Sequence, residues 1–99
     1  MQKIYFTYLL ECADKTLYCW YTTDLEKRVF AHNNLDVWAK YTSHRRPVKL
    51  VYFEEFETLS DALKREHEIK KLPKSKKLIL INSLSWLQKQ ICQMIGKIS

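Results

Sequence analysis

The chain has 99 residues, which suits one domain and no more. Hydrophobic residues make up 46% and charged residues 28%, a balance that excludes a disordered chain. The net charge of +6 favours a polyanionic partner, and the longest purely apolar run, residues 78–81, is far too short to span a membrane. The three cysteines, Cys12, Cys19 and Cys92, are odd in number and lack CxxC spacing. Neither a disulfide framework nor a zinc site is expected, and a reducing, cytoplasmic setting is the simpler reading. The N-terminus lacks the basic stretch and long apolar run of a secretory signal. The single glycine is Gly96, so every turn must be made by Asn, Asp, Pro or a strained residue.

Residues 3–11 are rich in aromatic and β-branched side chains and read as a strand. A polar break at Ala13-Asp14-Lys15 precedes a second strand over 16–22, so the two form a hairpin. Thr23-Asp24-Leu25-Glu26 fits a capping box in which Thr23 caps and Glu26 reaches back. A helix then runs over about 24–34, followed by a loop over 35–47 and a third strand over 48–56. Thr58 or Ser60 caps a helix that ends near Leu72, where Pro73 interrupts it. A last helix runs from there towards the C-terminus, with Leu80, Leu84, Leu87, Ile91 and Met94 at helical spacing. The order β-β-α-β-α-α predicts an α+β fold, a small three-stranded antiparallel sheet flanked by helices.

Three groups of side chains stand out. In the first helix, Leu25 and Val29 mark the apolar stripe, and Arg28 and His32, four apart, stack at its border. Half-desolvated cations there suit phosphate, although a snorkelling arginine and a boundary histidine fit the same spacing. In the second helix Ala62, Leu63 and Ile69 define the buried arc, and Glu66 falls inside it. A carboxylate so placed needs a metal ion or a basic partner such as Arg28 or Arg65. Tyr8 and Tyr18 lie on the two hairpin strands, where packing is the ordinary role of a tyrosine. A catalytic phenol, with an unperturbed pKa of about 10, needs a nearby cation to act as a base at neutral pH.

In order, these stretches resemble the GIY-YIG nuclease superfamily, above all its small stand-alone bacterial proteins. They also resemble the nuclease domain of the bacterial excision-repair incision subunit. LLECADKTLYCWYTTDLEKRVFAHN is similar to the family's hairpin and first helix. AKYTSHRRPVKLVYFEEF is similar to its loop and third strand, and ALKREHEIKKL to its metal-site helix. Ten residues separate Tyr8 from Tyr18, ten more lead to Arg28 and four to His32. The resemblance implies that Tyr8 and Tyr18 shape the active site, one of them activating the attacking water. It implies that Arg28 contacts the scissile phosphate and that His32 fills a His-or-Tyr position. Glu66 becomes the single carboxylate ligand of Mg2+ (or Mn2+), an ion that prefers few carboxylates with water and phosphate oxygens. The implied activity is metal-dependent cleavage of DNA phosphodiesters, in repair or processing.

The sequence departs from the family at several glycines. Trp20 stands where the second motif ends in glycine, on the same strand face as Tyr18. An indole there either plugs the substrate groove or offers a base a stacking platform. The first-motif glycine is also missing, Asp14-Lys15 replaces an Asp-Gly turn, and Asn34–Trp38 replaces a glycine-rich stretch. These losses open an alternative: a nucleic-acid-binding module of the same fold with impaired catalysis. Lys40, Tyr41, Arg45 and Arg46 before the third strand, and Lys70 and Lys71 beside Pro73, are candidate phosphate contacts. A solvated lysine face explains Lys70 and Lys71 as well. Residues 1–82 are read as the domain and 83–99 as a helical extension whose stripe of Leu84, Trp86 or Leu87, and Ile91 packs on that domain. A monomer is therefore preferred to a homodimer.

Overall fold

A computed structural model describes residues 3–34 and 45–98. The strands are β1 (Tyr5–Glu11), β2 (Leu17–Thr22) and β3 (Lys49–Phe56), antiparallel in the order β2-β1-β3. Because β1 is central, Thr7, Tyr8, Leu9 and Leu10 are all buried, on both faces of the sheet. That burial on two sides explains why β1 reads as an unbroken apolar and aromatic run rather than an alternating one.

Without a glycine, the hairpin turn is made by Lys15, which adopts φ 71. A side chain in that region costs about 1 kcal/mol. The Asp14 side chain supports the turn by accepting from the Thr16 amide at 3.0 Å.

Four helices complete the fold: α1 (Leu25–Asn34), α2 (Leu59–Lys70), α3 (Lys74–Asn82) and α4 (Trp86–Ile98). The α1 cap is Asp24 rather than the expected Thr23. Asp24 Oδ1 accepts from the Lys27 amide at 3.1 Å, and its own amide donates to Thr22 Oγ1. A carboxylate serves this place well because it also meets the positive end of the helix dipole. At the other end of α1, the Asn33 side chain accepts from Val48 N at 2.8 Å and donates to Val48 O at 3.0 Å. This pair of bonds ties α1 to the start of β3.

Thr58 caps α2 by accepting from the Asp61 amide. The helix packs on the sheet face that carries Thr7, Leu9 and Cys19, with Ala62 and Ile69 buried. Thr7 Oγ1 donates to the Ala62 carbonyl at 2.8 Å. Leu63, expected in the buried arc, is instead exposed. It lies about 100° around the helix from Ala62, whereas Glu66 and Ile69 stay within about 40° of it.

The expected single C-terminal helix is two. Ser85 and Gln88 form a capping box that starts α4: Ser85 Oγ accepts from Gln88 N and Gln88 Oε1 from Ser85 N, each at 3.2 Å. The break resets the helical phase. Leu84 is buried as expected, but the next inward residues are Cys92 and Ile95, while Trp86 (74% exposed), Leu87 and Met94 face outward. α4 packs against β3 and α1. Among the described residues, no helix is long and apolar enough to cross a membrane, and the three cysteines are free and buried.

Candidate functional site

Pairing of β1 with β2 sets Tyr8 opposite Trp20 and Leu10 opposite Tyr18. Opposed residues of an antiparallel pair share a face, so Tyr8, Tyr18 and Trp20 stand together on the face away from Cys19. His32 reaches this face from α1. Its Nε2 is 3.2 Å from the Tyr8 hydroxyl, and its ring meets Tyr8 and Tyr18 edge-on, with centroids at 6.4 and 5.9 Å. Arg28, one turn earlier, also hydrogen-bonds the Tyr8 phenol. Which of the Tyr8 hydroxyl and His32 Nε2 donates follows from the tautomer of the imidazole.

Burial raises the Tyr8 phenol above its usual range, and the neighbouring Arg28 cation only partly opposes this. Burial, then the charges of Arg28 and Arg46, lower His32 to about 4. Both groups are therefore neutral at pH 7, and the phenol–imidazole pair carries no resting charge.

The histidine shift fixes a pH dependence of stability. A folded-state pKa near 4 against 6.5 when unfolded means that the unfolded chain takes up the proton first. The contribution is complete above pH 6.5 and is lost as pH falls towards 4, by roughly 3 kcal/mol in all. Urea midpoints between pH 4 and 7 should fall on acidification in the wild type and fall less in His32→Gln. Parallel curves for the two proteins would contradict the assignment.

Glu66, only 12% exposed at its side chain, sits on the inward side of α2, and its Oε1 pairs with Lys70 Nζ at 2.8 Å. Neither expected partner takes it in an observed ion pair: Arg65 instead binds Glu54 at 2.8 Å. Among the described residues, Glu66 Oε2 is buried and meets no hydrogen-bond donor. Lys70 Nζ also lies 4.4 Å from the centre of the Trp20 ring, and Trp20 stacks on Tyr18 at 5.9 Å with 9° between planes. A continuous chain of contacts thus joins Tyr8 and His32, through Tyr18, Trp20 and Lys70, to Glu66. Cys19 is no nucleophile in this setting: burial, reinforced by Glu66, pushes its thiol to about 12.

The basic candidates separate. Arg45 pairs with Asp14 at 3.2 Å. Arg46 Nε donates to the His32 carbonyl at 2.7 Å, satisfying a C-terminal carbonyl of α1 and holding the loop before β3 against the histidine. Lys71 is exposed at the end of α2. Lys40 and Tyr41, with the replaced glycine-rich stretch, lie outside the described residues. Sequence reasoning missed the positioning roles of Asn33 and Arg46, for which the sequence carries no local signal. It also missed the Glu66–Lys70 pair, which its four-residue spacing did signal.

This fold and cluster define a class. The chain belongs to the GIY-YIG family: the profile described as the GIY-YIG catalytic domain matches residues 4–78. More narrowly, it belongs with the small stand-alone UPF0213 proteins. It is 53% identical over 81 residues to a UPF0213 protein of Syntrophus aciditrophicus, covering 82% of this chain and 92% of that one. A UPF0213 protein of Clostridium perfringens is 54% identical over 80 residues, covering 81% and 85%. The solution NMR structure of a UPF0213 protein from Bacillus halodurans superposes with a TM-score of 0.52 at 37% identity, covering 80% and 83%. Membership of this family implies nuclease-like activity on nucleic acid at most, generally with a divalent metal.

Proposed function

We propose that this protein is a metal-dependent endonuclease that hydrolyses DNA phosphodiester bonds in repair or processing. The observation that carries this reading is the Glu66 carboxylate, which keeps a buried oxygen without a hydrogen-bond donor among the described residues, at the end of the contact chain from Tyr8 and His32. Such an orphaned oxygen fits a hard divalent cation. One carboxylate also fits Mg2+, which keeps water and phosphate oxygens for its remaining positions. Among the described residues no group of three or more His, Cys, Asp and Glu forms a denser alternative.

In this mechanism Glu66 would hold the ion, whose positive charge would stabilise the departing oxygen. Arg28 binds the scissile phosphate and offsets the charge that develops on it. Tyr8 accepts a proton from the attacking water while its own phenol proton passes 3.2 Å to His32 Nε2. Arg28, already bonded to the phenol oxygen, stabilises any negative charge there during transfer. Tyr18 packs against the imidazole ring and keeps it in place.

The test is conversion of supercoiled plasmid, and of flap and branched duplexes, with Mg2+ or Mn2+. Cleavage that chelation abolishes supports the reading; intact substrates under every condition reject it. A second reading, binding without cleavage, is favoured by one observation: Trp20, in the place of the motif glycine, seats Lys70 beside Glu66. Salt-sensitive DNA binding with no cutting, and cutting gained in Trp20→Gly, would select it.

A further inference from the structure

Lys70 stands one helical turn after Glu66, and its ammonium has two seats. One is Glu66 Oε1 at 2.8 Å; the other is the face of the Trp20 indole, with its centre 4.4 Å away. Indole is the strongest of the aromatic seats for a cation. Trp20 is itself fixed by stacking on Tyr18. It braces a cation against the carboxylate.

We propose that Lys70 is a tethered competitor for the divalent ion, holding Glu66 Oε1 in the resting protein and leaving it when the ion binds. The inference rests on the reading of Glu66 as the metal ligand. Two physical effects make the competition direct. An oxygen that already accepts an ammonium at 2.8 Å has its charge compensated and part of its lone-pair density engaged. An ammonium and a divalent ion on one carboxylate also repel each other. Oε2, buried and without a donor among the described residues, is the oxygen left uncompensated. Oε1 would become available to the ion only once Lys70 has withdrawn. Trp20 sets how firmly the ammonium stays, so the residue that departs from the family motif tunes metal affinity through Lys70.

The experiment is a calorimetric titration of Mn2+ into the full chain, as wild type, Lys70→Gln, Glu66→Gln and the double variant. Lys70→Gln should bind up to about fivefold more tightly, the equivalent of one partly exposed ion pair. That gain should vanish in the double variant. A second readout uses Trp20 emission in a Trp38→Phe/Trp86→Phe background, since the chain has three tryptophans. Mg2+ should shift the emission as the ammonium leaves the ring, and Lys70→Gln should start from the shifted state and not move. Glu66-dependent binding of equal or lower strength in Lys70→Gln overturns the inference alone. No Glu66-dependent binding in any protein overturns the metal reading and the inference together.

Discussion

Glu66→Gln is expected to lower phosphodiester cleavage by two to three orders of magnitude, about the loss from removing one group that stabilises transition-state charge. The argument is local. The amide keeps the shape of the carboxylate but removes its charge, and with it the affinity for a hard cation. Stability should not fall with activity. The lost partner, Lys70, is 41% exposed, so the ion pair contributes under about 1 kcal/mol. Against that, the variant no longer buries a charged oxygen that meets no donor among the described residues. A thermal midpoint equal to or above that of the wild type, with cleavage nearly abolished, is the expected pair of results. A rate within threefold of the wild type would remove Glu66 from the chemistry. A collapse in stability would show that the carboxylate holds the helix rather than an ion.

The second large effect is on stability. Ile69 is fully buried where α2 lies on the β1–β2 face, between the turn that carries Glu66 and the residue that carries its partner. Ile69→Ala should cost about 3–4 kcal/mol, since a transfer loss and a cavity both result. Domains of this size have only about 5–15 kcal/mol in total, so the variant should sit close to its folding limit. Urea denaturation should show a much lower midpoint with an unchanged slope. A loss below about 1 kcal/mol would mean that α2 rests loosely on the sheet, and Glu66 with it.

The strands and first two helices were legible because their signals are local. β1 is rich in aromatic and aliphatic residues, α1 carries Leu25 and Val29 in phase, and Thr58 begins α2. The last two helices were read as one because the hydrophobic spacing runs through Ser83–Ser85 almost without a skip. The capping box that divides them lies in two polar residues, Ser85 and Gln88, that a search for apolar period passes over. Leu63 was misplaced for a similar reason: its hydrophobicity was weighed before its angle. Among the candidate site residues, the family resemblance groups Tyr8 and His32 with Arg28, and the structure adds the 3.2 Å contact between the first two. The sequence offers Glu66 a metal ion, Arg28 or Arg65, whereas the structure pairs it with Lys70, one turn away, a residue whose sequence signal is a solvated or phosphate-binding lysine face. The contact of Arg46 with the His32 carbonyl has no sequence signal, because the two residues lie 14 apart across a stretch of sequence without a regular period.

The place of β2 at the margin of the sheet has a consequence for how the protein behaves in concentrated solution. A strand at an edge leaves one row of backbone groups without a strand partner, and it can recruit another chain. The β2 sequence, LYCWYT, contains no charge and is rich in residues that favour extended pairing, the composition of a self-associating segment. Lys70, resting on Trp20, sets an ammonium directly over that edge. Its removal should therefore raise the tendency of folded molecules to associate through β2, visible in light scattering as the concentration rises, and glutamine is a safer replacement there than any apolar residue. The same positive charge that holds the carboxylate thus lies against a residue of the strand at the margin of the sheet.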